Sequence, residues 1–405
     1  MDNIPFCTPP RWWGPLPNKW VIWFFTLGRK LRQKYYEGVS HVEIQGLEHV
    51  RQAVDHGYGI LIASNHTAHA DPFVFLRASD ALGRYFYYMA NWQSFHMLSP
   101  ISQRMLQWHG CFSINREGID MLAYEQAVEV IQTKPHPLVV FAEGQLNHHY
   151  QRVAPFRTGA SLFAQAAAQG AERPVVCIPA AIVYRYTEEP FSELARLLSL
   201  FEDKLGWLPM PHLALAERVR RVGEGILDLR EKRYLGQTRS GPYCERAETV
   251  LASILKPLET VRQLHPRRLD VPDRVTRLRR LAIQQRASNP LDYAGIADAD
   301  HQLHDLQVAA QLYSYMHDYD TEEPTFEHLA EIVDKLEEDI LGVVTATTRG
   351  RRCAYLRFGS PLPVTTGKME NLRRFTARLH ANVQGLVDSL ILSCGPWQTE
   401  KWSQT

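Results

Sequence analysis

The stretch GILIASNHTAHADPF, residues 59–73, runs from an apolar segment straight into two histidines and an aspartate. Gly59–Ala63 has the continuous apolar pattern of a strand buried on both faces. Pro72 is suited to open a helix in its first turn. Between them His66 and Asp71 stand five positions apart. A histidine works as a general base near neutral pH when one ring nitrogen faces the substrate and a partner fixes the other. Asp71 is placed to be that partner if a helix begins between the two, setting the tautomer and stabilising the imidazolium. His265 and Asp270 repeat the spacing. That pair reads as coincidence in a helical linker, because only His66 follows a buried-strand pattern and is preceded by Asn65.

The same strand-then-helix texture extends on both sides. Strands are expected at 41–45, 59–63, 85–89, 112–115, 138–141 and 175–184, with helical patterns such as 118–133 and 158–169 between them. Such alternation predicts an α/β sandwich around one sheet. After Tyr186 long helical patterns replace it up to residue 350, and a strand pattern returns at Cys353–Phe358, followed by a helix near 368–393. Four segments follow: 1–39, an amphipathic segment; 40–187, the α/β core; 188–350, a mainly helical insertion; and 351–405, a closing strand with a C-terminal helix.

Three further blocks sit at strand edges. GCFSINR (110–116) ends a strand with Arg116, which can grip a phosphate through two parallel hydrogen bonds. FAEGQ (141–145) ends one with Glu143 and Gly144, whose bare backbone allows a close approach. RPVVCIPAAIVY (173–184) is a long strand with proline inside it. Taken with NHTAHAD (65–71), these blocks resemble, in order and approximate spacing, the four blocks of the glycerophospholipid acyltransferases. The likeness covers about residues 40–186, and Tyr355–Val364 is similar to that family's closing strand.

The resemblance implies an enzyme that moves a fatty acyl group from acyl-CoA or an acyl carrier protein to a lysophospholipid hydroxyl, 1-acyl-glycerol-3-phosphate being the type acceptor. It implies His66 as the base and Asp71 as its orienting partner, with no covalent acyl-enzyme, no cofactor and no metal. Arg116, Glu143 and Gly144 are implied to hold the acceptor. PFRTGA (155–160) resembles a basic stretch of the family and adds Arg157 as a phosphate candidate. The family's third block usually reads FPEGTRS, whereas here Ala142 replaces its proline and Leu146 its arginine; Arg152 or Arg157 are the cations left to compensate. Ala68 stands where a serine is common.

Composition excludes other classes. The six cysteines, at 7, 111, 177, 244, 353 and 394, form no CxxC pair and read as reduced thiols of a cytosolic chain. A net charge of +1 offers no general attraction to nucleic acid. Residues 262–286 carry eight arginines against two aspartates, while 287–341 carry fourteen acids against Lys335. Adjacent opposite blocks, with no aromatics interleaved, are expected to pair with each other.

No apolar run near the N-terminus reaches the roughly 20 residues of a membrane span. On a helix, however, Trp20, Trp23, Phe24, Leu27, Leu31 and Tyr35 form one face. Arg11, Lys19, Arg29, Lys30, Arg32 and Lys34 surround it, with no acid between Asp2 and Glu37. Trp12 and Trp13 add rings suited to a headgroup boundary. Residues 12–36 are therefore expected to lie on a membrane surface, with the protein peripheral on its cytoplasmic face. Two other readings compete. The altered third block suits a lipid-binding scaffold of reduced catalytic power. His66, His69 and Asp71, joined by His148 and His149, suit a metalloenzyme.

Overall fold

The computed structural model describes residues 10–149, 151–188, 190–264, 269–289, 291–316, 319, 324–365 and 370–394. They form two compact units. One holds the described residues of 10–190 and 348–394, the other those of 191–347. Cys7, the His265 end of the repeated spacing and residues 366–369 before the last helix lie outside the described residues.

The first unit opens with α1 (Lys19–Phe24) and α2 (Thr26–Tyr35). Then come β1 (Val39–Gln45), α3 (Leu47–Asp55), β2 (Gly59–Ser64), α4 (Asp71–Leu82), β3 (Tyr87–Asn91), α5 (Trp92–His96) and α6 (Pro100–Trp108). β4 (Cys111–Ile114), α7 (Met121–Thr133), β5 (Leu138–Phe141), α8 (Gly159–Gly170) and β6 (Val175–Tyr186) complete the run before residue 190. The helical unit holds α9 (Phe191–Lys204), α10 (Leu215–Leu235), α11 (Tyr243–Val261), α12 (Val271–Ser288), α13 (Tyr293–Tyr315) and α14 (Phe326–Leu341). The chain returns to the first unit with β7 (Arg352–Phe358), β8 (Leu362–Val364) and α15 (Leu372–Ser393).

All eight strands join one sheet in the order β1-β7-β6-β2-β5-β3-β4, with β8 pairing β6 beyond the end of β7. β2 lies between β5 and β6, parallel to both, and all six of its residues are buried. That double burial is why its sequence is apolar without alternation. Leu61 and Leu138 sit on one side of the sheet against Ile131 of α7 and Ala164 of α8. β7 is antiparallel to β6 and parallel to β1, so the strand expected to rejoin the sheet does so. The proline within β6 has a place: the ladder with β8 ends at Cys177 and that with β7 starts at Ala180. Pro179 falls in the gap, where its missing N–H costs no antiparallel hydrogen bond.

In the helical unit Arg218 and Glu202, both fully buried, pair at 2.7 Å. The basic run does meet the acidic one: α12 packs along α13, and Arg286 pairs with Asp300 at 2.7 Å. Arg274 turns the other way, to Glu259 of α11.

The N-terminal segment departs from expectation in two respects. Phe25 interrupts the single helix expected between Trp20 and Tyr35, leaving α1 and α2. The two tryptophans before it face inward. Trp13 is 5% exposed, stacks on Phe95 at 5.4 Å and exchanges hydrogen bonds with Ser113, while Trp12 packs on Phe112. Trp12 and Trp13 are thus core anchors instead of headgroup rings, because a paired backbone at Ser113 holds them on the edge of β4. Arg29 is also withdrawn from the cationic flank, pairing with Asp80 at 2.8 Å and with the ring of His109. The other face of the helices keeps its expected character, with Trp20, Trp23, Phe24, Leu27 and Tyr35 each more than two-thirds exposed. Among the described residues no helix is long and apolar enough to cross a membrane.

Candidate active site

The site lies at the carboxyl ends of β2, β5 and β4, the edge where open α/β sheets bind ligands. β2 ends at Ser64 and α4 starts at Asp71, so residues 65–70 form the connecting loop. Asn65, fully buried, fixes its start: the side-chain amide donates to Ile182 O and accepts from Ile182 N, both at 2.9 Å. This replaces one backbone pair of the β2–β6 ladder with a side chain and lets the main chain turn off the sheet.

His66 Nδ1 lies 2.8 Å from Asp71 Oδ2. Asp71 is fully buried and opens α4, where the helix dipole favours negative charge. Oδ2 also accepts from the backbone N–H of Thr67 at 2.7 Å and Ala68 at 3.1 Å, and Oδ1 accepts from Tyr184 Oη at 2.6 Å and Thr67 Oγ1 at 3.3 Å. With so many donors directed at it, the carboxylate acts as acceptor and His66 Nδ1 carries the proton. In the neutral ring the lone pair therefore sits on Nε2. Phe141 stacks on the imidazole at 4.2 Å, fixing its plane, and the His66 side chain keeps 21% of its surface exposed.

The third block braces this loop from β5. Glu143, 3% exposed, accepts from His66 N at 2.8 Å, from Ala154 N at 3.2 Å and from the Asn147 side chain. Asn147 N in turn donates to His66 O at 3.1 Å. Both backbone polar groups of His66 are thus held by residues 143–147. Burial pushes the Glu143 carboxyl up to about 8, against the pull of its N–H donors. Glu143, expected to hold an acceptor, has its oxygens directed at the backbone N–H groups of His66 and Ala154 and at the Asn147 side chain.

Arg116 Nη1 donates to Gly144 O at 2.8 Å. Gly144 has φ +75°, and a Cβ there would come within 2.5 Å of Arg157 Cδ. Arg116, Gly144 and Arg157 therefore meet at one turn. The departures from the usual third block also have local reasons. Ala142 N donates to Ser64 O at 2.9 Å, a bond that proline lacks the hydrogen to make. Leu146 is 4% exposed, so its side chain is part of the packing where a cation is usual. Arg152 is exposed. As for metal ligands, the rings of His69 and His148 stand edge to face at 6.1 Å. Among the described residues His66, His69 and Asp71 do not converge as a ligand set.

The family model described as Acyltransferase matches residues 41–183. That segment is an acyltransferase domain. No curated protein matches the chain. The matched range runs from within β1 into β6 and takes in the first three blocks and the fourth as far as Val183, which supports acyl transfer in general for the segment that carries His66. β7, which lies between β1 and β6, comes from outside the match, as do the helical unit and the α1–α2 segment. Within the acyltransferase domain the sequence pattern had pointed to His66, Asp71 and the third block. It had not singled out Tyr184 or Asn147. Tyr184 ends the fourth quoted block, and only the pairing of β2 with β6 shows that it reaches Asp71 from the neighbouring strand.

Proposed function

We propose that the chain transfers a fatty acyl group from the thioester of acyl-CoA or an acyl carrier protein to a hydroxyl of a lysophospholipid. The observation that supports this most is the His66–Asp71 pair at 2.8 Å, which leaves the Nε2 lone pair for an alcohol. The hydroxyl gives its proton to Nε2 as its oxygen bonds to the thioester carbonyl carbon. The tetrahedral adduct then collapses, the C–S bond breaks, and the thiolate takes the proton back from the imidazolium. Asp71 stabilises the imidazolium between these steps. Arg116 and Arg157, gathered at Gly144, supply positive charge for a phosphate on the acceptor.

The exposed face of α1 and α2 carries large apolar side chains at Trp20, Trp23, Phe24, Leu27, Leu31 and Tyr35, with Lys19, Lys30, Arg32 and Lys34 exposed around them. Rings and cations of this kind suit the interface of an anionic bilayer, from which a lysophospholipid would be drawn.

The test is transfer of labelled acyl groups from acyl-CoA and acyl carrier protein to a panel of lysolipids that differ in head group. Turnover by the purified protein and a loss of about 10²–10⁴-fold in His66→Ala are expected. Unchanged turnover in that variant rejects His66 as the base. Lysolipid binding without turnover across the whole panel leaves a scaffold instead of an enzyme.

A further inference from the structure

Asp71 is served by a donor from the neighbouring strand β6 that neither the motif nor the proposed mechanism uses. Tyr184 stands near the end of β6, 5% exposed, and its hydroxyl donates to Asp71 Oδ1 at 2.6 Å. Such a length belongs to a charge-assisted O–H···O⁻ bond. Around the phenol stand Arg352 of β7, its guanidinium 5.1 Å from the ring centroid, and Glu37 between α2 and β1. Glu143, beyond β5, is a further titratable group near Asp71, its carboxyl raised to about 8 by burial.

We propose that Tyr184 is a positioning residue that sets the basicity of His66 through Asp71. Two arrangements of the carboxylate are chemically distinct. An aspartate whose charge rests mainly on the imidazole pulls hard on the Nδ1 proton and favours the imidazolium. An aspartate that shares its charge with a short hydroxyl donor pulls less on that proton. The geometry is the second arrangement: the phenol takes Oδ1 while the imidazole takes Oδ2. Burial first, and then the charge of Asp71, hold the Tyr184 hydroxyl well above its ordinary range, so it remains a donor over the whole working pH range.

The idea rests on His66 serving as the base, and a readout independent of turnover separates the two. The measurement is an NMR titration of the His66 ring in the full chain, assigned by comparison with His66→Ala. In Tyr184→Phe the His66 pKa should rise by about half a unit or more, the effect of returning charge to its partner. Site-specific 3-fluorotyrosine at 184, a stronger donor of nearly the same shape, should move it down, and this second variant stands if the first fails to fold. In an Asp71→Asn background the Tyr184→Phe change should have little effect on the ring, since the carboxylate that relays it is gone. An unmoved His66 titration in folded Tyr184→Phe, a shift of the same sign in both tyrosine variants, or an equal shift without Asp71 overturns the proposal. Where turnover is measurable, the acid limb of kcat/KM should follow the ring.

Discussion

Glu143 offers a test of the site that needs no substrate. Its carboxyl is 3% exposed, and burial lifts it from an ordinary 4.5 to about 8. In the unfolded chain it ionises near 4.5, so between that pH and about 8 the folded state binds a proton that the unfolded state has released. Stability must then fall as pH rises through this window and level off above it. At 1.36 kcal/mol per pH unit the gap is worth at most about 5 kcal/mol. Glu143→Gln keeps the shape and an acceptor oxygen but cannot ionise. With its amide oxygen kept toward His66 N, the amide nitrogen takes the place of Oε2 and faces the N–H groups of both Ala154 and Asn147, which costs about 1–3 kcal/mol for each donor left unpaired, at every pH. Urea unfolding of both proteins at about pH 5 and about pH 9 gives the difference between them at each pH, and groups common to both cancel. The variant should be the less stable at the lower pH and gain on the wild type at the higher, by about 2–5 kcal/mol. A difference that does not change with pH would mean that Glu143 ionises at its ordinary value inside the fold, and the reasoning about its burial would be wrong.

Three further outcomes follow from contacts elsewhere. Asn65→Ala removes both bonds to Ile182 and leaves a buried N–H and C=O unpaired, so chemical denaturation should show a loss of about 2–4 kcal/mol. Gly144→Ala places a Cβ against Arg157 at a positive φ; acyl transfer should drop by about 10-fold or more while the melting temperature moves only a few degrees, and full activity would refute the crowding. Trp23→Glu with Leu27→Glu puts charge on the exposed face of α1 and α2 and should abolish co-sedimentation with anionic liposomes at unchanged melting temperature. Undiminished sedimentation would move lipid contact to another surface. This double substitution is a cleaner probe than deleting residues 1–38, because deletion also withdraws Trp13 from the core and Arg29 from Asp80.

What the sequence disclosed, and what it withheld, divides by the range of the interaction. The burial of β2 is local and was legible, since a strand flanked by strands on both sides and covered on both faces has no polar position to show. His66 and Asp71 were legible for the same reason: helix α4 starts at Asp71, so the distance between the two is set by one short loop. Tyr184 reaches Asp71 from 113 positions away, and no spacing rule carries that information. Trp12 and Trp13 were misread because an aromatic pair beside basic residues looks the same whether it faces lipid or protein. Only the pairing of Trp13 with Ser113, 100 positions on, decides which. Arg29 is a parallel case, its charge answered by Asp80 from another helix.

The third block shows how a departure from a pattern can conserve one part of a site while altering another. Were Ala142 a proline, Ser64 O would lose the donor that ties the end of β2 to β5. The substitution therefore adds a bond at the base of the loop that carries His66. Glu143 and Asn147 then hold both polar groups of the His66 backbone. Leu146 works in the opposite direction, turning a usual site of positive charge into packing. On the proposed reading the His66 loop is held more firmly, while the positive charge offered to an acceptor is what Arg116 and Arg157 supply around Gly144. On that reading such a site would keep its proton chemistry and differ in the alcohol it takes. Specificity in the lysolipid panel should accordingly move with the arginines, whereas the pH dependence of the ring should move with Tyr184 and Asp71.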